Sequence, residues 1–204
     1  MKIGIIGPTG AGKSLLADKL SAYYQAKLIE EPVAKSPYLP VFYLNKERMS
    51  FIAQNAFYSE LFILLYKERN NTNFISDSTM FSNLVFAEQL HGEGYINDVQ
   101  LELVYRIAEE GLKHLPPLDV HVVIMRRNDQ LVSNVAKRGR AIEMGQEEYL
   151  AKHNANYYPT LQSIFTRYQI PAERILWLPI DNMEDCDEFA EIINKIEAKG
   201  LAVA

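Results

Sequence analysis

Cysteine is almost absent from this chain: Cys186 is the only one in 204 residues. No internal disulfide can form, and a reducing compartment such as the cytoplasm is the expected setting. Long apolar runs are missing too. No stretch approaches the roughly 18 residues that a membrane-spanning helix needs, and the apolar run IGIIG after Lys2 is too short for a secretory signal. Nor is there a surplus of positive charge. Lys and Arg number 21 against 26 Asp and Glu, a net charge of −5. That balance argues against broad attraction to nucleic acid or to an anionic membrane, although local basic clusters can still grip small anions. Repeats, low-complexity tracts and linkers are also lacking, so residues 1–204 are expected to form a single domain. At that length roughly 70% of the unfolded chain's surface can be buried without a disulfide or metal staple.

What is present is an alternation. Five short apolar runs read as buried strands, at Lys2–Ile6, Lys27–Glu31, Asn73–Asp77, Val120–Met125 and Ile175–Ile180. Segments of helical spacing separate them. Near-continuous apolar strands with polar residues only at their ends suit a parallel sheet covered on both faces, so the expected fold is a doubly wound α/β domain with helices on both sides of a five-stranded sheet. Ligands in such sheets bind beyond the carboxyl ends of the strands, where Gly7, Glu31, Asp77 and Arg126 would sit. Residues 46–69 contain neither Gly nor Pro and are apolar on most faces, which predicts a buried helix. Gln54 within it would then need hydrogen-bond partners.

Residues 7–14 read GPTGAGKS, which fits G-x-x-x-x-G-K-[ST] at every fixed position and follows a strand. Gly7, Gly10 and Gly12 let backbone N–H groups turn inward, with Pro8, Thr9 and Ala11 completing the loop, and the following helix offers its positive end to phosphates. Lys13 would reach the β- and γ-phosphates and Ser14 would ligate Mg²⁺, so the loop predicts ATP or GTP with Mg²⁺. Glu31 and Asp77 would both face the γ-phosphate, where a carboxylate either accepts a proton from an attacking hydroxyl or helps hold the metal. Further on, KRGRAIE places Arg138 and Arg140 around a glycine, as a lid of about residues 134–146 closing over phosphates would. Glu143 beside them would be repulsive to phosphate unless it serves another group, such as a sugar hydroxyl.

Taken together, GPTGAGKS, IEEPV, SPYLPVFY, the helix carrying Gln54, ISDS, KRGRAIE and EEYLAKHNANYY resemble the deoxyribonucleoside kinase family, in particular its bacterial deoxyadenosine and deoxyguanosine branch. The resemblance spans nearly the whole chain and implies a P-loop NTPase-type fold, ATP as phosphate donor, Mg²⁺, and a homodimer. It implies that Glu31 takes the proton of a nucleoside 5′-hydroxyl, with Lys13, Arg138 and Arg140 stabilising the transferred phosphoryl group. Tyr43 and Glu143 would hold the 3′-hydroxyl, Gln54 and the residue at position 83 would read the base, and Asp77 would serve the metal with Ser14. Tyr43 and Gln54 are eleven residues apart, about three helical turns, so they would share a face if one helix spans both. Four positions depart from the family pattern. Ser78 and Asn134 stand where arginines are usual, and Asn83 and Leu61 stand where the base-reading Asp and Arg are usual. The implied activity is phosphorylation of a purine deoxyribonucleoside. A thymidylate-type nucleoside monophosphate kinase and a nucleotide-binding protein without kinase activity are the other readings.

Overall fold

The structure is a computed structural model that describes residues 1–138, 145–182 and 185–201. Five strands form one sheet: β1 (Lys2–Ile6), β2 (Lys27–Ile29), β3 (Phe74–Ser76), β4 (Val120–Met125) and β5 (Ile175–Pro179). Every pairing is parallel and the spatial order is β2-β3-β1-β4-β5. The five apolar runs are thus the five strands. Three of them end earlier than the sequence suggests, which leaves Glu31 and Asp77 two residues and one residue past their strands. Because β1 lies between β3 and β4, connections leave its two flanks in opposite directions, and a crevice forms at such a reversal.

Side chains alternate between the two faces of the sheet, as strand geometry requires. Ile3, Ile5, Ile75, Val122 and Ile124 pack with Leu16 and Leu20 of α1 (Lys13–Tyr23) and Ile192 and Ile196 of α9 (Cys186–Leu201). Ile6, Phe74, Val123 and Ile175 point the other way. They meet a helical layer built from α3 (Lys46–Lys67), α4 (Met80–Gly92), α5 (Asp98–Leu112) and α8 (Tyr157–Arg167). Helices flank both faces, and this is why the strands carry so few polar residues.

Two helical expectations need correction. Residues 46–67 are helical, but only one stripe is buried, at positions 50, 53, 54, 57, 58, 61 and 65. Ile52 and Ile63 on the opposite side are about half exposed (50% and 52%), left uncovered among the described residues. The helix also does not extend back to Tyr43. Asn45 leaves helical geometry (φ −149°, ψ 80°) and its side chain accepts a hydrogen bond from Arg48 N, so it caps α3. Tyr43 belongs to the separate short helix α2 (Tyr38–Leu44). Among the described residues, no helix is long and apolar enough to cross a membrane.

Candidate functional site

The phosphate loop joins β1 to α1. Gly10 (φ +86°) and Gly12 (φ +91°) adopt left-handed conformations that other residues rarely tolerate. Gly10 has a second constraint: a Cβ there would overlap the Leu131 carbonyl of α6 (Asn128–Arg138), which packs on the loop. Asn134, also on α6, donates from its amide to the Gly10 carbonyl at 2.9 Å. From the other side Arg126 Nε donates to the Ala11 carbonyl at 3.0 Å while its Nη1 donates to the Asp181 carbonyl. The loop is thus clamped through its own carbonyls, leaving its N–H groups at the helix N-terminus for an anion. Lys13 Nζ lies 3.1 Å from the Gly7 carbonyl and 3.3 Å from that of Pro8. The first turn of α1 itself carries no acidic residue that would oppose the positive end of the helix.

Asp77 stands next to this loop. Its Oδ2 accepts a hydrogen bond from Ser14 Oγ at 2.6 Å, and its backbone N–H donates to the Ile29 carbonyl, tying it to the end of β2. Its Oδ1 is buried with no partner. Burial pushes the carboxyl up to about 6, Lys13 and the Ser14 hydroxyl oppose the rise, and the nearby charge of Glu31 adds to it. A hydroxyl and a carboxylate held together, with one carboxylate oxygen unspent, are a donor set that fits Mg²⁺ when phosphate and water supply the remaining ligands. No cluster of three or more His, Cys, Asp or Glu able to hold a metal occurs among the described residues.

Beside the loop opens a cleft of about 140 Å³ whose walls include Lys13, Glu31, Tyr43 and Asn83. Residues far apart in sequence therefore meet at the carboxyl ends of the strands. Gln54 lies behind this wall rather than on it. It is fully buried, its Nε2 donates to the Asn83 carbonyl at 2.7 Å, and its Oε1 has no partner. Leu61 is a core residue, packed inside the helical layer. Ser78 is buried and is not among the residues that line the cleft. Arg138 ends α6, but its side chain, and Arg140 and Glu143 altogether, lie outside the described residues.

Sequence reasoning assigned no role to the helix α7 (Glu147–Ala155), yet its face forms much of the cleft. Tyr149, Leu150, His153, Asn154 and then Tyr157 line it. Their spacing is that of one helical face, a signal legible in EEYLAKHNANYY once the helix is assumed. His153 Nε2 contacts Glu93 Oε2 at 2.7 Å with both side chains buried, and Gln89 donates to the His153 carbonyl at 2.6 Å. Burial lowers the His153 pKa against the pull of Glu93. Lys46 sits 3.8 Å above the Tyr149 ring and donates to Gln146, which ties α7 to the start of α3. The Tyr157 hydroxyl is buried without a partner, and burial raises its pKa.

A family model described as deoxynucleoside kinase matches residues 3–199 of the chain. Over an alignment of 216 residues the chain is 26% identical to the deoxyguanosine kinase of Lactobacillus johnsonii, covering 97% of this chain and 91% of that protein. It is 30% identical over 174 residues to the deoxyguanosine kinase of Bacillus subtilis, 79% of each chain. To the deoxyadenosine kinase of Dictyostelium discoideum it is 26% identical over 198 residues, 94% of this chain and 77% of that one. Among solved structures, the fold is similar to deoxyadenosine kinase from M. mycoides with the products dCMP and a flexible dCDP bound. The TM-score is 0.80 at 22% identity, covering 97% of this chain and 100% of that one. The same enzyme with bound dATP aligns with a TM-score of 0.78 at 24% identity over 97% of this chain and 100% of that one.

Proposed function

This chain belongs to the deoxynucleoside kinase family, and from that membership we propose that it transfers the γ-phosphoryl group of ATP to the 5′-hydroxyl of a purine deoxyribonucleoside. One observation carries the reading: the phosphate loop and Glu31 line a single cleft at the carboxyl ends of the strands, and the Ser14–Asp77 pair adjoins the same loop. That convergence also favours a P-loop NTPase-type arrangement, with the loop following the central strand. Phosphoryl transfer asks little covalent chemistry of the protein, so positioning and charge stabilisation dominate.

In this reading residues 7–14 hold the triphosphate, and Lys13 moves from the loop carbonyls onto the β- and γ-phosphate oxygens. Ser14 and Asp77 would hold a Mg²⁺ ion, which supplies charge neutralisation to the same oxygens. Glu31 accepts the proton of the attacking 5′-hydroxyl. Tyr43 and Glu143 hold the 3′-hydroxyl. Asn83 faces the base, and Gln54 fixes the backbone of Asn83 from behind while keeping its Oε1 for a donor. Arg138 and Arg140 close the phosphate end, as a lid over about residues 134–146. Where an arginine is usual, Asn134 instead braces the loop through Gly10, so the positive charge falls to Lys13 and the lid.

The chain acts as one domain, in the cytoplasm, and pairs as a homodimer. The pairing is supported by the apolar side chains left uncovered on α3 and α5, with Ile52, Ile63, Leu103 and Ile107 all well exposed. The test of function is incubation with ATP and Mg²⁺ and each of the four deoxyribonucleosides in turn, with product detected by mass. Monophosphate should form from deoxyadenosine or deoxyguanosine in preference to the pyrimidines. ATP consumption that does not depend on a nucleoside, or phosphorylation only of monophosphates, overturns the assignment.

A further inference from the structure

Among the described residues eleven buried side-chain polar atoms have no hydrogen-bond partner. Natural interiors rarely leave such atoms unmade, and a cluster of them marks a place where something else supplies the bond. Here they are not scattered. Ser82, Tyr149, Asn154 and Tyr157 line the cleft described above, and Asp77 and Gln54 adjoin it. Three of the others, Thr79 Oγ1, His121 Nδ1 and Tyr168 Oη, belong to residues lining a second cavity that shares no lining residue with the first. The criterion that picks out the nucleoside cleft therefore picks out this one as well.

The second cavity holds about 360 Å³, within the range of small-molecule sites. It lies on the helical-layer side of the sheet, near the amino ends of β3 and β4, where Phe74 and His121 sit. Its deep wall holds Thr79 and His121, exposed by only 2% and 4%. Flat faces come from Phe81 and Tyr168, whose rings meet edge to face at 5.6 Å, and Phe81 also meets the His121 ring at 5.3 Å. The rim carries Arg174, half-buried, whose guanidinium makes no hydrogen bond or ion pair among the described residues. Burial and the Arg174 charge push the His121 imidazole down to about 4, so it is neutral at physiological pH and its Nδ1 can either donate or accept.

From these features we infer that the second cavity is a binding site for a flat heteroaromatic monocarboxylate of one or two fused rings. The ring packs against the contiguous aromatic wall of Phe81 and Tyr168, its polar edge meets Thr79 and His121, and its single negative charge meets Arg174 at the rim. A dianionic phosphate ester would leave a charge unpaired there, and a neutral arene would leave Arg174 and the buried hydroxyl and imidazole unused. The site bears on catalysis through the chain itself. Ser78 and Thr79 line it, and they directly follow Asp77. This inference is independent of which nucleoside the cleft accepts.

The probe is indole-3-carboxylate, titrated into the full-length protein by calorimetry with the His121 ring followed by NMR. One-to-one binding is expected with Kd at or below about 1 mM, the range open to a ligand of this size. Saturating deoxyguanosine and ATP should leave it bound, and indole-3-carboxamide should bind at least about fivefold more weakly. Arg174→Gln should abolish the preference for the carboxylate. Pro171→Trp, at an exposed rim position, should block binding while leaving the fold intact and nucleoside phosphorylation unchanged. Absence of binding at 10-fold higher probe concentration overturns the inference, as does displacement by the nucleoside or binding indifferent to both substitutions.

Discussion

Glu31 and Asp77 are chemically alike and differently placed, and their substitutions should separate accordingly. Glu31 lines the open cleft, so Glu31→Gln keeps the shape and removes only the ability to take a proton. kcat should fall by roughly 10²–10⁴ with little change in nucleoside affinity, read from steady-state kinetics together with direct binding. A variant that keeps more than about a third of the parent kcat, with chemistry rate-limiting, removes Glu31 from the role of base. Asp77 is buried, and its carboxyl is raised to about 6 against an unfolded value of 3.8. Between those two values the native state binds more protons than the unfolded state, so stability declines as pH rises through that window and the full cost is present above it. Asp77→Asn escapes this cost. It should be more stable than the parent at pH 7.5 by on the order of 1–3 kcal/mol, seen as a Tm higher by several degrees, with the gain gone near pH 3.5. Its Mg²⁺-dependent turnover should be lost. A lower Tm for Asp77→Asn at pH 7.5 contradicts this account of the carboxylate.

Between elements, the contact of α6 with the loop is the one that constrains Gly10. Gly10 is required twice over, by its positive φ and by the closeness of the Leu131 carbonyl. Gly10→Ala must therefore strain the backbone or push α6 away, breaking the Asn134 hydrogen bond. ATP affinity should weaken at least about tenfold, with stability reduced by roughly 1–3 kcal/mol, measurable by calorimetry and thermal melting. Asn134→Ala keeps the glycine and removes one bond to a carbonyl, so its loss should be near 1 kcal/mol, several-fold smaller in its effect on ATP binding. Equal effects from the two variants would show that the loop does not depend on the approach of α6.

At the scale of the whole molecule, the helical layer presents an uncovered apolar face. Ile63 on α3 and Ile107 on α5 are 52% and 43% exposed, and the two helices pack closely enough that Tyr58 Oη reaches the carbonyls of Ile107 and Ala108. Exposed apolar side chains on two neighbouring helices are the kind of surface that the proposed second subunit would cover. The double substitution Ile63→Glu and Ile107→Glu should convert a dimer to a monomer in light scattering, without lowering Tm by more than a few degrees, because neither side chain is in the core. A parent protein that is monomeric at micromolar concentration removes the dimer from the account.

Some of this was decided by local sequence. The five strands follow from apolar runs that are too short for helices, and the phosphate loop from glycines at fixed spacing after the first strand. Those signals need only neighbours along the chain, since period and backbone freedom are local properties. The break at Asn45 was local as well, in a residue type that caps helices, but the spacing of Tyr43 and Gln54 obscured it. Other features could come only from tertiary structure. Nothing near Asn134 says that its amide reaches Gly10, 124 residues earlier, and nothing near Arg126 says that it holds Ala11. That Gln54 stands behind Asn83, and that α7 walls the cleft, depend on how α3, α4 and α7 stack on the sheet. The second cavity belongs to the same class. Thr79, His121, Tyr168 and Arg174 share no local pattern, and only the packing of helices over the amino ends of two strands brings their polar groups around one space. Periodicity dictates which face of an element is buried; which side chains then meet is settled by the packing of elements remote in sequence.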